Sequence, residues 1–379
     1  MPIKTILIDC LVLNGSSSGY RRVLKNLLIY VSSNPVSYHY VFVFQRVGWN
    51  SLGVHDLADI RSSHFSIIIL PSFPSKWLRG FVEQLFIPIL AVVRSASLVF
   101  MPATFGLFMP VVKCVTFVHT NTNFAVARRL RGRGRMQQFA HFVLARVTLF
   151  TSSQLLFTSF RTLVEFSNEM NVHRDWPVLG NGILHVGLLK KPQHFPFAPK
   201  TYMLSVSQIY RVKNHDTLIK SFIKFKRDNS LLECNVPNLV IVGTIQEPDY
   251  MREIFLLCNG RTDIYFMHDI SDEELRFLYQ NSMGYCLFSF FEGYSLTPAE
   301  ALTSGLRIAI SDIPTHREIY DDIPIYADPG SVRSCSDAIY RLFTGFYLGH
   351  EAIDDSSVNK FSFHAFFSRL ENAFHDVLR

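Results

Sequence analysis

The sequence has no Cys-x-x-Cys pair: its six cysteines, at 10, 114, 234, 258, 286 and 335, are scattered, several of them inside apolar runs. That spacing argues against a zinc site or a disulfide scaffold and fits reduced thiols in a cytoplasmic protein. Charge is scarce, with 18% charged against 48% hydrophobic residues, which excludes a disordered chain. No internal repeat, low-complexity tract, basic tail or nucleic-acid motif is present, so nucleic acid is not an expected partner. Long hydrophobic runs are missing too. The most apolar stretch, Phe81 to Val93, is broken by Glu83, Gln84 and Pro88 and is too short to span a bilayer; it reads as a kinked core helix. Ile3 to Cys10 has too short an apolar run and too little basic lead for a secretion signal, and reads as a buried first strand.

What is present is enough apolar material for two cores in 379 residues. Strand patterns at Ile3 to Cys10, His39 to Gln45, Phe65 to Leu70, Leu98 to Phe100 and Lys113 to His119 alternate with helix patterns at Tyr20 to Ser32, Trp77 to Val93 and Ser153 to Phe166. The second half repeats the scheme. Strands at Tyr202 to Val206, Leu239 to Val242, Ile264 to Met267, Gly284 to Phe288 and Leu306 to Ile310 alternate with helices at His215 to Lys226, Tyr250 to Leu257, Asp272 to Asn281 and Pro298 to Ser304. This predicts an α/β chain with two parallel, doubly wound sheets. Asn181-Gly182 signals a turn, and prolines at 192, 196 and 199 mark a linker. The expected domains are 1–185 and 200–360, joined by a linker over 186–199.

Glu292 and Glu300 stand eight residues apart in Phe291-Glu292-Gly293-Tyr294-Ser295-Leu296-Thr297-Pro298-Ala299-Glu300. Thr297 reads as an N-cap, Pro298 as the first helical residue and Glu300 as the acid completing a capping box. Helix chemistry therefore accounts for Glu300 alone. Glu292 precedes that helix, next to a glycine and a run of backbone N–H groups. A helix start attracts a diphosphate, and two flanking carboxylates suit the hydroxyls of a sugar and a ribose. The alternative at this point is a plain capped helix.

From Asp263 to Pro329 the chain resembles the C-terminal half of the family 4 retaining glycosyltransferases of the GT-B fold. The resemblance rests on the two-glutamate loop, on Glu300-Ala301-Leu302-Thr303-Ser304-Gly305, on Ser271 to Leu275 upstream, and on His316 to Ile319 and Tyr326 to Pro329 downstream. Tyr294, Ser295 and Thr297 stand where the family more often has phenylalanine, glycine and proline. A second stretch, Val206 to His215, resembles the family's strand, loop and helix that carry a phosphate-binding arginine and lysine. Lys213 falls on the lysine; Ser207 and Val212 occupy the usual arginine places, and Arg211, one residue off, is expected to compensate. The resemblance implies two facing Rossmann-like domains with the donor and acceptor in the cleft between them, and a last helix, 361–379, that packs back on the first domain. It further implies that Glu300 holds the ribose and Glu292 the donor sugar. Gly293, Tyr294, Ser295, Leu296, Thr297 and Gly243 would line the donor site, with Lys213 and Arg211 on the phosphates.

Two features of the first half gain meaning from the same resemblance. The small-residue loop Asn14 to Gly19 is similar to the family's glycine loop, which makes Gly19 a candidate on the donor side; by itself it reads as a connecting loop. His119 closes a strand where the family often has a histidine-aspartate pair, with Thr120 replacing the aspartate. A hydrogen-bonding role is expected of it, against the plainer reading of a structural histidine. Arg128, Arg129, Arg131, Arg133 and Arg135, interleaved with Gly132 and Gly134, read as a cationic loop. A phosphorylated acceptor or an anionic membrane would be drawn to it, at roughly 1 kcal/mol per basic residue near a charged surface; a solvated loop is the plain alternative.

The resemblance implies a glycosyltransferase that takes a hexose from a nucleotide-sugar to a glycan acceptor, of bacterial surface-polysaccharide type (O-antigen or lipopolysaccharide). The acceptor would be carried on a polyprenyl diphosphate, with the enzyme cytoplasmic or peripheral on the inner membrane. No Asp-x-Asp triplet occurs, so no metal or other cofactor is expected, and protein cations must hold the diphosphate. Two alternatives stay open: a nucleotide-sugar 2-epimerase of the same fold and a catalytically silent nucleotide-sugar-binding relative. Lys213→Ala is expected to slow turnover while leaving the fold intact.

Overall fold

The computed structural model describes residues 3–13, 19–54, 57, 62–103, 105–119, 133–185, 188–229, 236–347 and 358–379. The chain divides into two compact units, Met1–Gly182 with Phe363–Arg379, and Ile183–Ser362.

In the first unit the described elements are β1 (Thr5–Asp9), α1 (Gly19–Ser33), β2 (His39–Gln45), α2 (Arg46–Leu52), β3 (Phe65–Leu70), α3 (Lys76–Val93), β4 (Ala96–Met101), β5 (Lys113–Val118), α4 (Arg133–Thr151), β6 (Gln154–Phe157) and α5 (Phe160–Met170). The strands lie in the order β3-β2-β1-β4-β5-β6, with every neighbouring pair parallel. A parallel sheet is covered on both faces, so its strands are apolar without alternation. Ile6, Leu7 and Ile8 of β1 are accordingly all buried.

The second unit contains β7 (Tyr202–Val206), a 3-10 turn (Arg211–Lys213), α6 (His215–Asp228), β8 (Asn238–Val242), α7 (Pro248–Cys258), β9 (Ile264–Met267), α8 (Asp272–Asn281), β10 (Gly284–Leu287), α9 (Leu296–Thr303), β11 (Ile308–Ser311), α10 (Pro314–Tyr320), β12 (Ile325–Ala327) and α11 (Val332–Tyr347). Its all-parallel order is β12-β11-β10-β7-β8-β9. Counted from the first strand of each unit, both sheets share one topology. The central pair, β1 with β4 and β7 with β10, is where the winding reverses, and ligands bind beyond the carboxyl ends of strands at such a switch point.

The last helix, α12 (Phe363–Leu378), belongs to the first unit. Phe374 meets Phe100 at 5.1 Å between ring centroids, and Phe366 meets Phe117 at 6.1 Å. Glu371 ties the helix to β2, accepting from the Tyr40 hydroxyl at 2.8 Å and the Ser37 hydroxyl at 3.0 Å.

Several expectations need correction. The helix read over Ser153 to Phe166 is a strand followed by a helix. Gln154-Leu-Leu-Phe is a short apolar run, which periodicity cannot tell from a helix turn, and Ser159 then caps α5 by accepting from Thr162 N at 3.1 Å. The segment read as a linker over 186–199 packs with the second unit where it is described, since Phe195 is buried and meets Tyr202 at 5.1 Å. Arg133 and Arg135 are not in a loop: their backbone forms the start of α4, whereas Arg128, Arg129 and Arg131 lie outside the described residues. Phe81 to Val93 is not a core helix either. Only Ile87, Pro88, Leu90 and Ala91 of α3 are buried. Among the described residues, no helix is long and apolar enough to cross a membrane.

Candidate donor site at the second switch point

The carboxyl ends of β7 and β10 carry the two motifs that the sequence singled out. After β7 the chain runs through Ser207 into the 3-10 turn, and after β10 through Ser289 to Glu292. Asn214 locks the two together. It sits in the left-handed region at φ 58°, and its Nδ2 donates to the Phe288 and Pro329 carbonyls, both at 2.8 Å. An asparagine tolerates that backbone at little cost, which lets α6 begin directly after the turn.

Held in this way, Lys213 meets Glu292. Its Nζ donates to both carboxylate oxygens, at 2.8 and 2.7 Å, with the Glu292 side chain only 6% exposed. Burial works against the ammonium charge, but the Glu292 carboxylate and Tyr210 outweigh it and hold the lysine above its ordinary value. Ser289 donates to Glu292 Oε1 at 2.8 Å, and Thr315 donates to the Glu292 carbonyl at 3.0 Å. The acid is therefore fixed as well as paired.

Glu300 is buried on the first turns of α9 and accepts from the Tyr279 hydroxyl at 3.0 Å. The capping box expected around it is absent. The helix begins at Leu296 with Ser295 at the cap and no side-chain cap bond. The hydroxyl of Thr297 instead accepts from Tyr285 at 2.7 Å. Ser295 has φ 69° and ψ 77°, a left-handed conformation that disfavours any side chain, at the place where the resembled family more often has glycine. Its enclosed Oγ has no hydrogen-bond partner among the described residues. Ser295→Gly is therefore expected to raise stability by about 1 kcal/mol in chemical denaturation. A fall in stability would show that the serine side chain is needed there.

Gly243, which follows β8, is demanded by contact rather than by dihedral. A Cβ there would lie 1.8 Å from the Ser207 carbonyl oxygen, so the loop after β7 crosses directly over it. Ser207 itself, at a place where the family usually has arginine, pairs with His215 Nε2 at 3.0 Å. Burial, aided by the Lys213 charge, pulls His215 down to about 4, so it is neutral near pH 7.

The other candidates are placed elsewhere. Arg211 is exposed, and its guanidinium pairs with Glu253, stands 4.0 Å from Glu247 and lies over the Tyr250 ring. Those partners come from α7 and the residue before it, and Lys213 alone of the two cations joins Glu292. Gly293 and Tyr294 lie in the loop between Glu292 and α9, with Tyr294 partly buried against the core. Gly19 begins α1, while the loop over 14–18 lies outside the described residues. His119 closes β5 in the first unit, against Tyr20 and Phe117 at 4.6 and 4.3 Å. Burial lowers it to about 3, and its Nε2 has no partner among the described residues. A histidine in that state offers a hydrogen bond and no acid-base function near pH 7. Reading by motif missed Ser289, Tyr279, Tyr285 and Asn214, because their value lies in which atom they reach and not in their spacing. Among the described residues, no cluster of three or more potential metal ligands is found.

Residues 189–345 match the family model described as glycosyl transferases group 1. That stretch, which makes up most of the second unit, is similar to the glycosyl transferases group 1 family. The stretch includes Lys213, Gly243, Glu292 and Glu300, so the family's match and the constellation coincide. The chain is 29% identical over 144 residues to the O-antigen chain mannosyltransferase RfbU of Salmonella typhimurium, covering 38% of this chain and 38% of that protein. It is 30% identical over 78 residues to the O-antigen chain mannosyltransferase B of Escherichia coli, covering 21% of this chain and 20% of that protein. The match thus spans well under half the length of either curated relative. In fold the likeness extends over nearly the whole chain: the Anabaena HepE structure, solved in complex with UDP-glucose, superposes with a TM-score of 0.68 at 12% identity, over 98% of this chain and 99% of that one. Two units, each built on a parallel sheet, are the GT-B architecture.

Proposed function

We propose that the chain is a retaining glycosyltransferase that moves a hexose from a nucleoside diphosphate to a glycan acceptor. The observation that carries this reading is the pair of part-buried Lys213 and buried Glu292 at the switch point, beside the start of α9 that holds Glu300. A lysine that stays charged in a buried site is suited to a leaving diphosphate, whose negative charge grows as the sugar–phosphate bond breaks. Lys213 and the N–H groups at the start of α9 each contribute about 1.5 to 3 kcal/mol of charged hydrogen bonding to that state. Glu292 then accepts from donor-sugar hydroxyls and Glu300 from the ribose. With a protein cation in this role, the reaction needs no metal. In retention, the acceptor oxygen bonds to the anomeric carbon on the face the phosphate leaves, and the acceptor's proton passes to the departing phosphate oxygen.

The acceptor class proposed here is supported by the relatives, which carry the name O-antigen chain mannosyltransferase. A growing surface polysaccharide on a polyprenyl diphosphate, presented at the cytoplasmic face of the inner membrane, is the acceptor proposed here. The experiment is a thermal-shift panel of uridine, guanosine and deoxythymidine diphosphates, followed by their sugars and by assignment of the product anomer. The expected outcome is one preferred base and a product that keeps the donor's anomeric configuration. An inverted product would overturn retention, a donor epimerised without acceptor would favour the 2-epimerase, and no shift with any diphosphate would overturn the reading.

A further inference from the structure

Helix α3 is built inside out. Trp77, Phe81, Leu85, Ile89 and Val93 recur every four residues and are between 52% and 88% exposed, with Leu78 and Val92 exposed beside them. From Trp77 to Val93, every exposed residue of the helix is apolar. The polar residues turn the other way. Gln84 Oε1 accepts from Phe108 N at 2.7 Å, and Arg79 donates to the Val12 carbonyl at 3.3 Å while standing 4.0 Å from Glu83. An ordinary surface helix buries its apolar stripe and solvates its polar one; here the polar groups are used inside, and the stripe is left outside.

The same surface continues past the helix. Through Gln84 the loop after β4 lies against α3, and in it Phe108, Met109 and Val111 are 45%, 80% and 57% exposed. A patch of contiguous large apolar side chains of this kind marks an interaction site. Its charge decides the partner. Exposed Lys76 and Arg94 close the two ends of the helix. A second copy of the chain would bring cationic ends against cationic ends, whereas an anionic lipid surface meets them with opposite charge.

We propose that this face of the first unit seats on an anionic lipid surface, with α3 lying in the plane of the interface, its apolar stripe among the acyl chains and Lys76 and Arg94 at the phosphate level. An amphipathic helix with aromatic residues on one side and cations at the edge binds membranes in this way, with Trp77 suited to the head-group boundary. The surface lies on α3 and its neighbouring loop and does not depend on the donor chemistry of the second unit.

The test is co-sedimentation of the full chain with vesicles of phosphatidylethanolamine containing phosphatidylglycerol, and with vesicles of phosphatidylcholine alone. Binding is expected to be more than about tenfold tighter with phosphatidylglycerol, to weaken with salt, and to shift Trp77 emission to the blue. A Phe81→Ser, Leu85→Ser, Ile89→Ser variant changes only exposed side chains and is expected to lose that binding about tenfold or more while keeping its nucleoside-diphosphate thermal shift. Equal binding of the variant, or none by the natural chain, would overturn the proposal. So would a dimer of the natural chain that the variant abolishes without any change at vesicles. Failure to bind a nucleoside diphosphate would overturn the donor reading and leave the vesicle result standing.

Discussion

Lys213→Ala is expected to lower turnover more than about tenfold, because it removes one charged hydrogen bond of about 1.5 to 3 kcal/mol from the departing diphosphate. The structure adds a second effect that the sequence hid. Glu292 is 6% exposed and receives both of its short contacts to a cation from Lys213. Removing the lysine leaves a buried carboxylate without its counter-charge, a loss of about 3 to 5 kcal/mol in stability. The expectation of an undisturbed fold is therefore revised. Lys213→Ala with Glu292→Gln removes the stranded charge, and this double variant should regain much of the stability with none of the turnover. Urea denaturation separates the two effects, and single-turnover assays read the chemistry of the folded fraction. A rate unchanged in the single variant would take Lys213 out of the mechanism.

Gly243→Ala should be the most damaging one-methyl change in the second unit. The new carbon would lie 1.8 Å from the Ser207 carbonyl oxygen, and that oxygen belongs to backbone, which cannot swing aside. Ser207 N is bonded to the Val242 carbonyl at 3.0 Å, and Gly243 N to the Met267 carbonyl at 3.0 Å, so both sides of the clash are anchored. Overpacking of this kind costs about 1 to 3 kcal/mol, and more where the neighbours are fixed. The expected result is a loss of about 3 kcal/mol or more in urea denaturation, with weaker nucleotide binding as the loop leading to Lys213 is displaced. A variant as stable as the natural protein would mean that the crossing of the two loops is looser than described.

Much of the fold was legible because parallel strands announce themselves. Runs such as Tyr202 to Val206 and Ile264 to Met267 are short, apolar and separated by helical periods, and their boundaries agree with the structure. The strand at Gln154 was lost because a four-residue strand with three apolar residues carries no period of its own. Helix α3 was misjudged for a different reason: composition told that its residues are apolar, but burial depends on which way they face, and here Gln84, Glu83 and Arg79 occupy the inner side. At the site, Glu292, Glu300 and Lys213 were found by motif, and the structure places Lys213 on Glu292. Thr297 was misread because its hydroxyl had a second suitor, Tyr285, twelve residues away and visible only once β10 and α9 are packed. Arg211 was read from its place beside Lys213, whereas its partners, Glu253 and Glu247, come from a distant part of the chain.

The measurement closest to the central claim is a crystal structure of the full chain with the nucleoside diphosphate that gives the largest thermal shift. The account predicts a phosphate oxygen about 3 Å from Lys213 Nζ and ribose hydroxyls on the Glu300 carboxylate. A nucleotide bound elsewhere, with Lys213 still bonded to both oxygens of Glu292, would contradict it.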